Sequence, residues 1–319
     1  MPHFLELLSF AGGITLPCFI IVFIGWWLRY RTIIDDRFIE IGSRLIFTIA
    51  LPLLLFLSIT ESPVFELVRP QQVIYGLLAT IAAVLLLWIV ATMSGMEAAL
   101  KGVFVQGSFR GNMGIIGLAL CQNMYGAEGL AIGSILLAFL TILYNILSII
   151  VLTVAASQGK SRIHWLRIGT DIVKNPLIIA ITVALIAARL NLQLPDILAQ
   201  SARYFAQLTL PLALLCVGGA ISFKRLWQSS TTAYWTIANK LIILPFGMTL
   251  VGYALGLDGI LLGTLFLMFA SPTATVSFIM VKVIGGDDKL AANIVATTTV
   301  LSIGTISAGI LLFRMLGWV

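Results

Sequence analysis

Gly107-Ser-Phe-Arg-Gly-Asn-Met-Gly-Ile-Ile-Gly-Leu-Ala-Leu120 stands where an apolar run should cross a membrane, yet it holds Arg110, Asn112 and four glycines. A charge at bilayer depth is costly, and glycine weakens a helix. Irregular backbone survives there only when protein buries it or water reaches it. An interrupted span of this kind points to a transporter's binding site.

The surrounding composition agrees with a polytopic membrane protein. The 319 residues are 60% hydrophobic and 10% charged, with a mean hydropathy of +1.08. With about 20 apolar residues per crossing, ten spans are expected, at 4–28, 40–60, 72–93, 103–122, 129–155, 172–190, 198–221, 233–255, 259–283 and 289–316. The first is too long for a signal peptide and lacks a basic leader, so it reads as retained. The net charge of +6 comes mostly from short loops, which argues for topology rather than nucleic-acid binding. Cys18, Cys121 and Cys216 all fall in apolar spans and read as small core residues. His3 and His164 have no metal-ligand spacing around them, so neither a metal nor another cofactor is expected.

The loops set an orientation. With the N-terminus outside, the inside segments hold Arg29, Arg31, Arg37, Lys101, Lys160, Arg162, Arg167, Lys174, Lys224, Arg225, Lys282 and Lys289. Outside lie Arg69, Arg189, Arg203 and Arg314, so twelve basic residues face four, and both termini are expected outside.

The longest connection, Ser157–Lys174, divides the chain into 1–156, a cytoplasmic linker at 157–171, and 172–319. Leu51-Pro-Leu-Leu-Leu recurs as Leu210-Pro-Leu-Ala-Leu at an offset of 159, which also carries Gly126 to Gly285 and Glu128 to Asp287. Five spans per half turn the second half upside down, a 5+5 inverted repeat of the secondary-transporter type. The offset carries Asn112 to residue 271, inside Phe269-Ala-Ser-Pro-Thr-Ala-Thr275. Pro272 lacks an amide hydrogen and should break span 9, with Ser271 capping a second half-helix as Asn112 caps that of span 4. Two half-helix N-termini would then meet near mid-membrane, a place that favours an anion.

These residues also carry a resemblance. Leu16-Pro17 through Gly25-Trp-Trp-Leu-Arg29, Ser43-Arg44-Leu45 and Leu51-Pro52-Leu53 form one part of it. The others are Phe109-Arg110-Gly-Asn112 with Tyr125-Gly-Ala-Glu-Gly-Leu130, Ser271-Pro272 with Ser277-Phe278, and Gly286-Asp287 through Leu290-Ala291. Together they resemble the auxin efflux carrier family, which includes bacterial malonate or malate transporters and the plant PIN exporters. The family's proline in span 4 is Ala119 here, so the break rests on Gly111, Asn112 and Gly114. The resemblance implies a scaffold of spans 1, 2, 6 and 7, which also makes a homodimer contact. Spans 3–5 and 8–10 would form a moving transport bundle, with elevator-like or rocking alternating access in the inner membrane.

Arg110 has two readings: a bidentate partner for a substrate carboxylate, or a cation at the carbonyl end of a half-helix. Asn112, Met113, Gly114, Ser271, Pro272 and Thr273 are candidate substrate contacts at the crossing. Tyr144 and Asn145 are polar groups in span 5 that either hold the bundle together or line the pocket. Glu128, Asp287 and Lys240 are candidates for proton or sodium coupling. Loop turns would equally account for the two acids, and snorkelling for the lysine. Two histidines outside the broken segments supply no catalytic set, which excludes an enzyme reading. The expected function is transport of small organic anions, with a sodium-coupled symporter like the bile acid transporters or an anion channel as alternatives.

Overall fold

A computed structural model describes residues 2–67, 69–156, 170, 173–192, 194–221 and 230–319. The basic residues Lys160, Arg162, Arg167, Lys224 and Arg225, together with His164, lie outside the described residues. The fold is all-helical among the described residues, and its one β-bridge sits at the crossing described below.

Among the described residues, six helical segments are long and apolar enough to cross a membrane: Ser9–Tyr30, Asp36–Thr60, Pro70–Met93, Met113–Ala156, Thr231–Ala254 and Asp288–Met315. Pro176–Arg189, Gly259–Ala270 and Thr275–Ile284 are apolar but shorter. The 44 residues of Met113–Ala156 would run about 66 Å as one helix, twice a bilayer core. Gly126, at φ 62° and ψ −144°, divides them. Gly285 also has positive φ, at 124°. The two glycines paired by the 159-residue offset thus both supply a backbone turn that side-chain-bearing residues resist.

In chain order the helices are α1 Pro2–Tyr30, α2 Asp36–Leu45, α3 Leu51–Thr60, α4 Val64–Leu67, α5 Pro70–Met93, α6 Ala98–Phe109 and α7 Leu118–Ala156. There follow α8 Pro176–Arg189, α9 Asp196–Ala220, α10 Thr231–Ala238, α11 Leu244–Ala254, α12 Gly259–Ala270, α13 Thr275–Ile284 and α14 Asp288–Met315. Wide π-helical turns precede Pro52 (Ile46–Ala50) and Pro245 (Asn239–Ile243). A proline ring clashes with the carbonyl four residues earlier, and the widened turn moves that carbonyl aside without ending the helix. Pro211 is held inside continuous α9.

The helices pack in two groups. α1 lies along α9, and α3 packs on both α8 and α9. Elsewhere α6 and α12 pack on α7, α11 on α12, and α13 on α14. The α1–α9 contact is backbone against backbone. A Cβ at Gly25 would fall 2.1 Å from the Leu215 carbonyl oxygen, and one at Gly218 would fall 1.8 Å from that of Val22. Small residues of this kind let helices approach closely in lipid, where no hydrophobic force brings them together.

Gly218→Ala is expected to cost about 1–3 kcal/mol through overpacking. Thermal unfolding of the purified protein in detergent reads this directly. An unchanged midpoint would mean that α1 and α9 are not in backbone contact.

Candidate functional site

Two apolar helices stop at the same point. α6 ends at Phe109 with Arg110 as its extended cap, and α12 ends at Ala270 with Ser271 in the same role. A helix end leaves carbonyls without partners, which at this depth must be met by protein. The breaks meet that need for each other. Asn112 N donates to Pro272 O at 2.7 Å and Ala274 N to Arg110 O at 3.0 Å, forming an antiparallel bridge between Gly111 and Thr273.

Side chains complete the pairing. Thr273 Oγ1 donates to Gly107 O at 2.8 Å, and Thr273 N donates to Thr298 Oγ1 at 3.1 Å. Ser271 Oγ donates to Met268 O at 2.7 Å, and Lys240 Nζ donates to Phe269 O at 2.9 Å. Gly111 has no room for a side chain, since its Cβ would lie 2.6 Å from Ser271 Oγ and 3.0 Å from Lys240 Nζ. This close approach is the structural reason for one glycine of the opening stretch.

Two details differ from the sequence expectation. Asn112 precedes a π-helical turn, Met113–Gly117, without a side-chain cap bond. Ser271 closes the first half of its span instead of opening the second. Residues 271–274 are non-helical, and α13 begins at Thr275. The proline removes one donor, but the chain runs extended for several residues before helix resumes.

Arg110 is buried, and its guanidinium is committed to α7. Nη1 donates to Tyr144 O at 3.0 Å and to Ser148 Oγ at 2.9 Å, and Nη2 donates to Asn145 Oδ1 at 2.7 Å. Phe109 packs edge-on against Tyr144, with ring centroids 5.3 Å apart. Tyr144 and Asn145 therefore belong to the crossing through Arg110. Arg110 and Lys240 are the only buried residues of the Asp, Glu, Lys, Arg and His types among those described.

A cavity of about 120 Å³ lies against the breaks. Asn112, Ala274 and Thr275 line one side of it, and Ser43, Ala213 and Cys216 the other. Sequence reasoning did not single out Ser43 or Thr275. Ser43 stood in the quoted Ser43-Arg44-Leu45, and Thr275 closed the quoted Phe269–Thr275 stretch. Met113 is buried, and Gly114 would place a Cβ in ordinary contact with Leu51 and Leu137.

The remaining candidates lie apart from the crossing. Asp287 caps α14, its carboxylate accepting from Leu290 N at 2.9 Å, and its own amide donates to Ala99 O. Glu128 is exposed just past the Gly126 turn. The three cysteines are buried and free, and the described residues hold no cluster of three or more metal-ligating side chains.

Thr273→Val removes a buried hydroxyl and strands the Gly107 carbonyl, so it should cost about 1–3 kcal/mol. The fall in unfolding temperature should exceed that of Thr182→Val, whose exposed hydroxyl bonds only its own helix at Ile178 O. Equal effects would mean that the two breaks do not depend on this bond.

A family model described as membrane transport protein matches residues 14–308. A protein named "Putative malonate transporter" in Rhizobium meliloti (strain 1021) is 26% identical over 313 residues, 95% of each chain. A protein named "Uncharacterized transporter" in Methanocaldococcus jannaschii is 22% identical over 322 residues, 96% of this chain and 97% of its own. With a multi-pass set of apolar helices and a match over most of its length, this chain belongs to the membrane transport protein family, that of the auxin efflux carriers, and is a transporter rather than an enzyme.

Proposed function

We propose that the protein is a secondary transporter of small organic anions, with its substrate site in the cavity beside Asn112. One observation carries this reading: the only buried charges among the described residues are the cations Arg110 and Lys240, both at the broken helix ends. A buried cation without an acidic partner is costly, and the carbonyls these two reach, Tyr144 O and Phe269 O, offset only part of that cost. On the other face of the breaks, the starts of the second half-helices present amides and positive dipole ends toward the cavity. An arriving carboxylate meets donors from Asn112 and Thr275 and a field set by both cations.

In this reading Arg110 shapes the site through α7 and does not grip the substrate. Asn112, Thr275 and Ser43 are the contacts, with Met113, Gly114, Ser271, Pro272 and Thr273 forming the frame behind them. The chain makes ten crossings as a 5+5 inverted repeat, 1–156 and 172–319, with two broken helices crossing near mid-membrane and both termini outside. Spans 1, 2, 6 and 7 are the scaffold and dimer contact in the inner membrane, and spans 3–5 and 8–10 move against them as an elevator. The relative named for malonate makes a short dicarboxylate the first probe.

The test is counterflow in proteoliposomes with malonate, malate, indole-3-acetate and a neutral control, run with and without sodium and with a pH gradient. Saturable exchange of an anion is expected. Asn112→Ala should raise KM about tenfold, the effect of one lost hydrogen bond to a charged ligand. Arg110→Lys should lower the maximal rate through its lost fork while leaving KM nearly unchanged. Absolute dependence on sodium would replace this reading with a sodium-coupled symporter, and non-saturable flux would replace it with a channel. No anion response under any gradient would overturn it.

A further inference from the structure

The two groups of helices meet along an interface where α1 and α3 face α7 and α14. Among the described residues, three hydrogen-bonding side-chain contacts cross it, beside the Arg314 guanidinium of α14 stacked on Phe10 of α1. Asn123 Nδ2 donates to Ile14 O at 2.9 Å and lies 3.3 Å from Cys18 Sγ. The hydroxyls of Thr15 and Ser307 are 2.8 Å apart, and those of Ser58 and Ser134 are 3.2 Å apart. Asn123 and Ser58 also line, from α7 and α3, a cavity of about 590 Å³ that ends at Glu61 and Arg203.

Three of the four hydroxyls have a second partner on their own helix, and the fourth, Ser58, lines the cavity. Thr15 Oγ1 also donates to Ala11 O, Ser134 Oγ to Leu130 O and Ser307 Oγ to Ile303 O, each on its own helix. A proton given across the interface can return to its own helix when the groups separate. Sliding α7 along α1 would leave the Ile14 carbonyl within its own helix, and the Asn123 amide exposed to the cavity.

The repeat shows that the device is one-sided. The 159-residue offset carries Leu54, Leu57, Ser58 and Glu61 onto Ala213, Cys216, Val217 and Ala220, four residues that line the 120 Å³ cavity. The two cavities are therefore repeat-related. The latch is not, because Val217 has no hydroxyl to replace that of Ser58, and Lys282 stands where Asn123 would.

We propose that Asn123, with the Thr15–Ser307 and Ser58–Ser134 pairs, forms a releasable latch that biases the transporter toward the state in which the cavity at Glu61 and Arg203 is open. This rests on the alternating-access reading above, but its test needs no substrate.

In a variant free of cysteine (Cys18→Ala, Cys121→Ala, Cys216→Ala), Leu210→Cys reports on the large cavity and Ala220→Cys on the small one. Modification rates by a polar methanethiosulfonate are measured in nanodiscs, where both faces are accessible. Asn123→Leu should speed labelling at Ala220→Cys by up to about fivefold and slow it at Leu210→Cys by a smaller factor, since losing one ordinary hydrogen bond shifts a two-state ratio about fivefold and moves the minor population most. Thr15→Val with Ser307→Ala should move both rates the same way, and serves as the test if Asn123→Leu does not fold. Unchanged rates at both positions in protein that elutes as a single species would overturn the latch. If wild-type counterflow is absent but the labelling shift is present, the latch stands and the anion-transport reading falls.

Discussion

The structure depends on one constraint: a helix broken inside a packed apolar interior must find partners for the backbone groups that it frees. A chain in water could leave them to solvent, but in hydrocarbon each unmet group costs several kcal/mol. Here two breaks are placed together so that each supplies what the other lacks. The bridge between Gly111 and Thr273 is the smallest antiparallel unit, and the carbonyls it does not reach are met by the side chains of Thr273, Ser271 and Lys240. Removing either break would strand the other.

That arrangement sorts charge by direction. The carbonyl end of α12 faces the Lys240 ammonium, that of α6 is met by the Thr273 hydroxyl, and Asn112, Ala274 and Thr275 after the breaks line the cavity. Both carbonyl ends are thus met within the protein. Arg110 adds a second tie, since its donors to Tyr144, Asn145 and Ser148 hold α7 to the break.

Much of this could be read from the chain. The glycines and polar residues at 107–120 and the proline at 272 located both interruptions, because each violates what an unbroken span tolerates. The pairing of Gly126 with Gly285 returns as two positive φ angles. The register at the crossing could not be read. α6 ends at Phe109 and α12 at Ala270, an offset of 161 (270 less 109), whereas the flanking glycines keep 159 (285 less 126). Seventeen residues lead from Phe109 to Gly126 (126 less 109) but only fifteen from Ala270 to Gly285 (285 less 270), and the π-helical turn at Met113–Gly117 takes up part of the excess. Uniform offset arithmetic assigned Ser271 a cap that it does not make. Ser43 and Thr275 escaped notice for another reason: a hydroxyl in an apolar run bonds its own helix so readily that only the fold shows which one faces a cavity. Asp287 and Glu128 matched each other as acids beside turns, and the cap that Asp287 makes needs no further role.

Two kinds of contact divide the helices into parts. Between α1 and α9, Gly25 and Gly218 bring backbone against backbone, so closely that a Cβ at either would overlap the facing carbonyl. Between α1 and α7 or α14, contact is made by an amide and by hydroxyls that have second partners on their own helices. The first kind resists sliding because repulsion rises steeply with overlap, and the second permits it because hydrogen bonds are exchanged and not lost. α1 therefore meets α9 and the face made by α7 and α14 through contacts of different kinds. The Gly111–Thr273 bridge depends on neither, because it joins the segments that follow α6 and α12, and both of those helices pack on α7.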